Sequence, residues 1–422
     1  MAAADGLSRR QFFVGLGAGI VVGGGGAAAA YQAAKGRPAA APTPAGARPS
    51  SMTIEPNTIK RRGVGFRGYD PQRASPGFTL FAPAGGNDVH LIDIQGNETH
   101  TWHMPYAPGL YGYLTDKGTL FYLGKIPNDT FIGKSVFHGG AAMEADWNGK
   151  VLWEIKQPDQ HHDGRLLKNG NVLLVCSTEL PADIAKRVKG GLTGSEQPGG
   201  KINGDYLVEM TTDGKTVWEW RAWEHIEPED YPILGPSDDR TEWTHANAVS
   251  ELPDGNILLS FRNTSHVIRI NRQTGSVEWR LGPPPLSGQH GITPLPNGNY
   301  LLFDNGPFRA DVGVQPFSRI LEINPDSKDI VWKYQDGTNP GSAHFFFSSR
   351  ISNPQRLPNG NTLVNEGLYG RFFEVTPDGD VVWEYVNSYF GPANLPPKGQ
   401  TNNVFRAYRY TADEIARAQK TG

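Results

Sequence analysis

The chain has 422 residues, including 52 glycines, 33 prolines, 10 tryptophans and a single cysteine. So many helix-breaking residues exclude a helical bundle and favour short strands joined by tight turns. With 40 basic and 43 acidic side chains and no Lys- or Arg-rich block, the charge predicts no nucleic acid as a partner. The lone Cys176 excludes an internal disulfide framework and any cysteine-based zinc or iron–sulfur site.

The first segment in chain order has the pattern of an export signal. Arg9 and Arg10 precede a Gly/Ala-rich apolar run over residues 14–30 that contains four consecutive glycines. Paired arginines before such a run are typical of twin-arginine export, and the glycines make the run a poor membrane span. We therefore predict a twin-arginine signal peptide over 1–35, with the twin-arginine export machinery as partner. The mature protein would be periplasmic or secreted with no stable membrane span, an uncleaved anchor being the alternative. Residues 36–57 are a Pro/Ala-rich linker.

Beyond the linker, an internal repeat organises the chain. A turn followed by an extended stretch with a tryptophan occurs six times, and the tryptophans are 51 to 65 residues apart. The six are Trp102, Trp153, Trp218, Trp279, Trp332 and Trp383. Each turn supplies Gly, Asn or Asp, and the residues after it alternate apolar and polar as in a half-buried strand.

A second repeat precedes each of these turns in the later units. It reads as a short strand, an Asn/Asp-Gly-Asn turn and a strongly apolar strand, as in HANAVSELPDGNILLS (245–260) and HGITPLPNGNYLLF (290–303). Four strands in each of six units predict an all-β protein, a six-bladed β-propeller over 58–410, followed by a C-terminal tail over 411–422. The first unit lacks an innermost strand, which we expect from NNVFRAYRY (402–410), with 58–66 as the other candidate.

Three histidines stand just before or at the start of innermost strands, namely His162, His245 and His290. Because those strands line the central channel of a propeller, three blades would aim an imidazole at one axis. His161 precedes His162, and since adjacent strand residues face opposite ways, we expect only one of the two to reach the channel. A purely structural role, in which the histidines hydrogen-bond across the channel, is the alternative.

The surroundings of these histidines resemble one known family. The segment WTHAN (243–247) opens the fourth repeat, QH (289–290) opens the fifth, and FDNG (303–306) precedes Arg309. Together with PQRLPNGNTLV and DGDVVWEY, these segments resemble the bacterial arylsulfate sulfotransferases over nearly the whole exported chain. The resemblance implies a six-bladed propeller that transfers a sulfuryl group between phenols, independently of the nucleotide donor PAPS, through a histidine in the central channel.

The resemblance also implies roles for single residues. The family's W-x-H-x-N histidine corresponds to His245, its Q-H histidine to His290, and the arginine after F-D-N-G to Arg309. Its carrier histidine in the late blades has no clear counterpart, and His344, the last histidine in the chain, is the candidate. We expect His344 as nucleophile, His290 and Arg309 at the sulfonate, and His245 in acid–base work or at the sulfonate. His162 is a further catalytic candidate. The predicted substrate contacts are Trp243, Asn247, Asn305 and Phe308.

Under this interpretation the partners are an aryl sulfate and a phenol, and no cofactor is required. Two other interpretations stay open. His162, His245 and His290 could instead hold a metal ion, since imidazoles from separate blades suit a first-row transition metal, which would make an exported oxidoreductase or lyase. The third is a propeller without catalytic activity that binds ligands.

Overall fold

The computed structural model describes residues 63–309, 315–337, 343–392 and 399–422. The predicted signal peptide, the linker and the first residues of the predicted propeller (58–62) lie outside these ranges. Within them the regular secondary structure is mostly strands with few helices, and the chain forms a six-bladed β-propeller. The predicted fold is confirmed.

The strands of the first half alternate along the chain with short turns. They are β1 (Gly65–Tyr69), β2 (Phe78–Pro83), β3 (Asp88–Ile92), β4 (Glu98–His103), β5 (Pro108–Leu114), β6 (Leu120–Lys125), β7 (Gly140–Ala145), β8 (Val151–Lys156), β9 (Gln160–Leu166), β10 (Val172–Glu179), β11 (Asn203–Met210) and β12 (Thr216–Arg221).

The second half repeats the same plan. Its strands are β13 (Ala246–Glu251), β14 (Ile257–Phe261), β15 (His266–Ile270), β16 (Val277–Leu281), β17 (His290–Pro294), β18 (Tyr300–Asp304), β19 (Arg319–Ile323), β20 (Ile330–Tyr334), β21 (Asn353–Arg356), β22 (Thr362–Glu366), β23 (Arg371–Val375), β24 (Val381–Val386), β25 (Gly391–Pro392), β26 (Gln400–Thr401) and β27 (Val404–Tyr410).

Each blade is an antiparallel sheet with one strand at the channel. Counted from the channel outward, blades 1 to 5 are β27-β2-β3-β4, β5-β6-β7-β8, β9-β10-β11-β12, β13-β14-β15-β16 and β17-β18-β19-β20. Blade 6 is β21-β22-β23-β24-β1, and β25 and β26 form a separate two-stranded ribbon. Each innermost strand contacts the innermost strands of both neighbouring blades, so these six strands form a closed ring.

Both ends of the described chain take part in closing the ring. The C-terminal strand β27 pairs antiparallel with β2, with Phe78 opposite Tyr410, and supplies the missing innermost strand of blade 1. This agrees with the first of the two candidates from the sequence. The other candidate region contributes β1 instead, which pairs with β24 as a fifth, outermost strand of blade 6.

The tight turns between the first two strands of a blade depend on glycine. Gly255 and Gly298, in the turns after β13 and β17, have φ values of +83° and +86°. Residues with a Cβ rarely adopt this left-handed conformation. The Asn/Asp-Gly-Asn motif therefore fixes where each pair of inner strands reverses direction.

The repeated tryptophans join neighbouring blades. In five of the six, the indole N–H donates to a backbone carbonyl of the next blade around the ring, at 2.7 to 3.1 Å. These pairs are Trp102 to Asp146, Trp218 to Arg272, Trp279 to Pro325, Trp332 to Pro377 and Trp383 to Ile94. The sixth, Trp153, donates to Glu144 Oε2 in its own blade (2.7 Å). Since the last of the five links blade 6 to blade 1, the contact also closes the ring.

The apolar core lies between adjacent blades. Leu258 and Val267 of blade 4, for example, pack in one cluster with Ile292 and Leu302 of blade 5. Because such inter-blade clusters bury a large apolar area, they are the main source of stability in a fold of this kind.

Helices are few and short in the described ranges. They are α1 (Phe131–Lys134), α2 (Ala182–Ala185), α3 (Ala412–Gln419) and three 3-10 turns at Ala222–Glu224, Pro228–Asp230 and Gly367–Tyr369. Thr411 and Glu414 form a capping box at the start of α3, the helix of the predicted C-terminal tail. No helix among the described residues is long and apolar enough to cross a membrane.

Candidate active site

The three predicted histidines all enter the channel at the start of innermost strands. His162 lies near the start of β9, His245 immediately precedes β13, and His290 is the first residue of β17. His162 and His245 have left-handed backbones, with φ of +50° and +52°. The pairing of β9 with β10 and of β13 with β14 shifts register at these points. Positive φ at a residue with a Cβ is strained and is concentrated at functional sites.

His162 and His245 form a contact pair at the centre. Their ring centroids are 4.5 Å apart, at an interplanar angle of 68°. Both rings also contact Phe137, whose centroid is 4.7 Å from that of His162 and 4.9 Å from that of His245. Phe137 follows α1 in a long connection of blade 2 and is half-buried. Two imidazoles from different blades and one aromatic ring therefore make up the centre of the site.

His162 is also the end of a chain of polar contacts. Its Nδ1 lies 2.7 Å from Nδ1 of His161, and Nε2 of His161 lies 3.1 Å from Oδ1 of Asp205, an ionic contact rather than a well-aligned hydrogen bond. Burial raises the pKa of Asp205, but the contact with His161 and the hydroxyl of Thr244 (2.5 Å) lower it overall. Asp205 is thus a carboxylate, and it favours a proton on Nε2 of His161.

This arrangement favours one tautomer of His162. When His161 carries a single proton, on Nε2, its Nδ1 has a lone pair, so the short contact requires a proton on Nδ1 of His162. The Nε2 atom of His162 is then unprotonated and has a lone pair. The positive φ of His162 interrupts the alternation of side chains along the strand, and the buried His161 contacts His162 from behind.

His245 has a carboxyl partner as well. Its Nδ1 lies 2.5 Å from Oε1 of Glu242, three residues earlier in the chain. Burial, followed by the negative charge of Asp205, raises the pKa of Glu242 to about 8. Burial and then the positive charge of Arg262 lower the pKa of His245 to about 3. At neutral pH the pair is therefore uncharged, with the acid proton of Glu242 donated to Nδ1 and the imidazole proton on Nε2 of His245.

His290 is held by hydrogen bonds at both ring nitrogens. Nδ1 donates to Oδ1 of Asn305 (2.8 Å) and also lies 3.1 Å from the carbonyl oxygen of Gly288. Nε2 accepts from the backbone N–H of Ile351 (3.2 Å). Burial lowers the pKa of His290 well below its ordinary value, against the opposing hydrogen bond to Asn305. His290 is thus a neutral, fully bonded imidazole, and Asn305 fixes its orientation.

Beside the histidines, a buried ion pair joins four blades. Asp163 of β9 accepts from both Nη atoms of Arg406 on β27 at 2.8 and 3.1 Å. The same carboxylate accepts from the hydroxyl of Tyr111 on β5 and from the N–H of Val249 on β13 (2.8 Å). Burial opposes the charge of Asp163, but Arg406 and then Arg165 lower its pKa overall. Multiple hydrogen bonds offset the cost of burying both charges, and they fix the ends of the strands from which the histidines extend.

The arginine predicted to bind the sulfonate already has an acidic partner. Nη2 of Arg309 lies 2.6 Å from Oδ2 of Asp304, and the Arg309 side chain is 4% exposed. A different arginine, Arg262, lies within electrostatic range of the centre, since its charge lowers the pKa of both His245 and His290. Its guanidinium carbon lies 5.2 Å from the ring centroid of half-buried Phe308.

The remaining predicted residues are placed differently. Trp243 is fully buried in the apolar core, and its indole N–H donates to the carbonyl of Tyr231 (2.8 Å). Buried Asn247 donates to the carbonyl of Gln289 (2.8 Å). His344 is half-buried, and its ring contact within the described residues is with its neighbour Phe345 (4.4 Å). The structure thus brings His162, His245 and His290 together, but it does not place the ring of His344 against them.

The same geometry bears on the alternative in which His162, His245 and His290 hold a metal ion. Among the described residues, no group of three or more His, Cys, Asp or Glu side chains is arranged to hold a metal ion. The reason is visible in the three histidines themselves. One ring nitrogen of His162 and one of His245 are already occupied by His161 and Glu242, and both nitrogens of His290 are hydrogen-bonded.

Comparison with protein families supports the resemblance predicted from the sequence. Residues 112–286 match the arylsulfotransferase (ASST) family. The ASST match runs from β5 to the loop after β16 and includes His162, His245 and Glu242. The predicted family resemblance is confirmed over these residues, which do not include His290 or Arg309. No curated protein matches the chain.

Several solved structures are similar to parts of this chain at low sequence identity. A protein of unknown function from Bacteroides caccae is 14% identical, with 74% of this chain and 94% of that one covered and a TM-score of 0.46. A streptogramin B lyase is 14% identical, with 82% and 94% covered and a TM-score of 0.43. A catalytically inactive virginiamycin B lyase from Staphylococcus aureus, with quinupristin, is 12% identical, with 78% and 91% covered and a TM-score of 0.42.

Sequence reasoning missed several residues of the site. Glu242 precedes His245 by three positions, so a carboxylate beside the predicted histidine was visible in EWTH (242–245). Arg406 was visible as a charge inside the apolar closing strand. Phe137 of blade 2 and Asp205 of blade 3, in contrast, are distant from these histidines in the sequence, and no repeat or spacing marks them.

Proposed function

We propose that this protein is an arylsulfotransferase that passes a sulfuryl group from an aryl sulfate to a phenol through a transient sulfated histidine, His162. The observation that supports this most is the contact of His162, with its free Nε2 lone pair, and His245, with its Nε2 proton. The family match over 112–286 supports the class of reaction. His162 takes the carrier role that the resemblance suggested for His344.

In the first half-reaction, Nε2 of His162 attacks the sulfur of the aryl sulfate. The new N–S bond forms as the S–O bond to the aryl oxygen breaks. The departing phenolate takes the proton from Nε2 of His245, and the carboxyl proton of Glu242 moves to Nδ1 of His245. The positive charge that develops on the His162 ring is stabilised through His161 by the carboxylate of Asp205.

The second half-reaction reverses these steps with a new phenol. Its hydroxyl gives a proton to Nε2 of His245, the Nδ1 proton returns to Glu242, and the phenolate oxygen attacks sulfur. The N–S bond breaks and His162 regains its lone pair. Little covalent work is needed from the protein in a transfer of this type, so alignment and charge stabilisation dominate. We place the aryl ring against Phe137, which contacts both histidines.

We also propose that the chain is exported through the twin-arginine route to the periplasm or the exterior. The support is the Arg9-Arg10 pair and the Gly-rich apolar run that follows it. This route carries proteins already folded, which suits a ring that closes only when the C-terminal strand β27 joins β2. Replacing both arginines by Lys should leave the protein in the cytoplasm, as cell fractionation would show, and unchanged export would contradict this assignment.

The activity is tested with purified protein, 4-nitrophenyl sulfate as donor and phenol as acceptor. We expect 4-nitrophenol release that depends on the acceptor. His162→Gln and His245→Gln should each reduce the rate by about 100-fold or more, as expected when a nucleophile or a general acid is removed. His103→Gln is the matched control, because that side chain is 80% exposed and pairs with Asp88 at the surface. The proposal would be refuted if no phenolic acceptor supports the release of 4-nitrophenol.

A further inference from the structure

Two arginines lie at or beside backbone N–H groups that donate hydrogen bonds to His245 and His290. The N–H of Arg262, just after β14, donates to the carbonyl of His245 (3.1 Å). Arg350 immediately precedes Ile351, whose N–H donates to Nε2 of His290 (3.2 Å). Each guanidinium therefore extends from backbone that is hydrogen-bonded to one of these histidines.

Within the described residues, the two guanidiniums have one carboxylate contact between them. Arg262 has one carboxylate contact, Nη1 to Oδ2 of Asp238 at 3.2 Å, and it also donates to Oδ1 of Asn263 (2.7 Å). Burial lowers the pKa of Arg350, and the charge of Arg262 lowers it further. Among the described residues no carboxylate forms an ion pair with Arg350. Two mutually repelling arginines with a single acid leave one net positive charge, which an anion would neutralise.

Both arginines are also more exposed to solvent than the histidines. Residue Arg350 is exposed and the side chain of Arg262 is 17% exposed, whereas His162 is only 3% and His290 only 1% exposed. Phe308, under the guanidinium of Arg262 at 5.2 Å, adds an apolar surface of the size of an aryl ring. Arginines beside a half-buried aromatic ring have the chemistry that recognises an aryl oxyanion.

We propose that Arg262 and Arg350 form a binding site for the sulfate oxygens of the aryl sulfate at the entrance to the histidine pair. The inference rests on the proposed function and gives it a donor-recognition site. Guanidinium groups bind two oxygens of a sulfate in one plane, and charge-assisted hydrogen bonds of this kind are the strongest available. Arg309 is less suited to this role, since its side chain is only 4% exposed and its Nη2 already contacts Asp304 (2.6 Å).

The site is tested by binding of inorganic sulfate to the resting full-length protein, measured by calorimetry at low ionic strength, where no transfer takes place. We expect Arg350→Gln to weaken sulfate binding about tenfold, the effect of losing one charge-assisted contact. Arg350→Lys keeps the charge but loses the planar guanidinium. Its sulfate affinity should therefore lie between those of the wild type and Arg350→Gln. Arg417→Gln is the matched control, because it removes an exposed arginine of α3.

The outcomes separate this inference from the proposed function. Sulfate binding that depends on Arg350 supports the site whether or not the nitrophenol assay detects transfer. Equal sulfate affinity in the wild type, Arg350→Gln and Arg262→Gln would overturn it even if transfer is detected. Absence of sulfate binding by the wild type would also overturn the proposed site. Unchanged thermal melting of Arg350→Gln would show that a loss of affinity is not a loss of folding.

Discussion

Raising the pH from 6 to 8 is expected to destabilise the protein through Glu242, and Glu242→Gln should remove this effect. The pKa of Glu242 is raised from 4.5 to about 8, so the folded state holds a proton that the unfolded state has released. Stability therefore falls with rising pH between these two values. His245 acts in the opposite direction, because its lowered pKa of about 3 gives stability that is complete above pH 6.5 and is lost as the pH falls.

The size of the effect follows from the shift. One bound proton corresponds to about 1.4 kcal/mol for each pH unit. Between pH 6 and 8 the unfolded Glu242 is fully ionised, while the folded group begins to ionise only near the upper limit. The wild type should therefore lose about 2 kcal/mol of unfolding free energy relative to Glu242→Gln over this range. The glutamine amide still donates to Nδ1 of His245, so the hydrogen bond survives in the variant.

The assay is urea denaturation of both proteins at pH 6, 7 and 8, followed by tryptophan fluorescence. The difference between their unfolding free energies should grow steadily with pH. Glu224→Gln, at an exposed position, is the control and should run parallel to the wild type. Parallel curves for Glu242→Gln and the wild type would refute the assignment of a buried, neutral carboxyl beside His245.

Two further substitutions test the framework of the site. Arg406→Gln leaves the carboxylate of Asp163 buried without its counter-charge, and we expect a loss of about 3–5 kcal/mol in unfolding free energy. The exposed Arg73→Gln should show a far smaller change, and similar losses in the two variants would contradict the importance of burial. Trp243→Phe removes the buried hydrogen bond to Tyr231 and should cost about 1–3 kcal/mol while leaving the KM for the aryl sulfate unchanged. A raised KM with unchanged stability would instead restore Trp243 as a substrate contact.

The blades were predictable because each repeats one local solution. In five of the six units a tryptophan makes nearly the same contact with the next blade, and each Asn/Asp-Gly-Asn turn needs the same glycine conformation. Physical requirements that recur along the chain leave a period in the sequence. The closing strand was predicted for a related reason, since blade 1 lacked an inner strand and residues 402–410 were the first of two candidates.

The site was predictable only in part. The histidines at innermost strands were visible, but their partners depend on local departures from strand geometry and on contacts between distant segments. The positive φ of His162 departs from strand geometry, and His161 contacts its Nδ1, which strand periodicity does not predict. Asp205 and Phe137 reach the histidines from other strands and loops, so only the fold itself reveals them.

The most direct test of the account is to identify the atom that carries the sulfuryl group. Protein incubated with 4-nitrophenyl sulfate in the absence of acceptor should gain the mass of one SO3 group. After digestion under mildly alkaline conditions, mass spectrometry should locate the group on His162, and addition of phenol should remove it. Sulfation of any other residue, or transfer to phenol by a His162→Gln variant at the wild-type rate, would contradict the account.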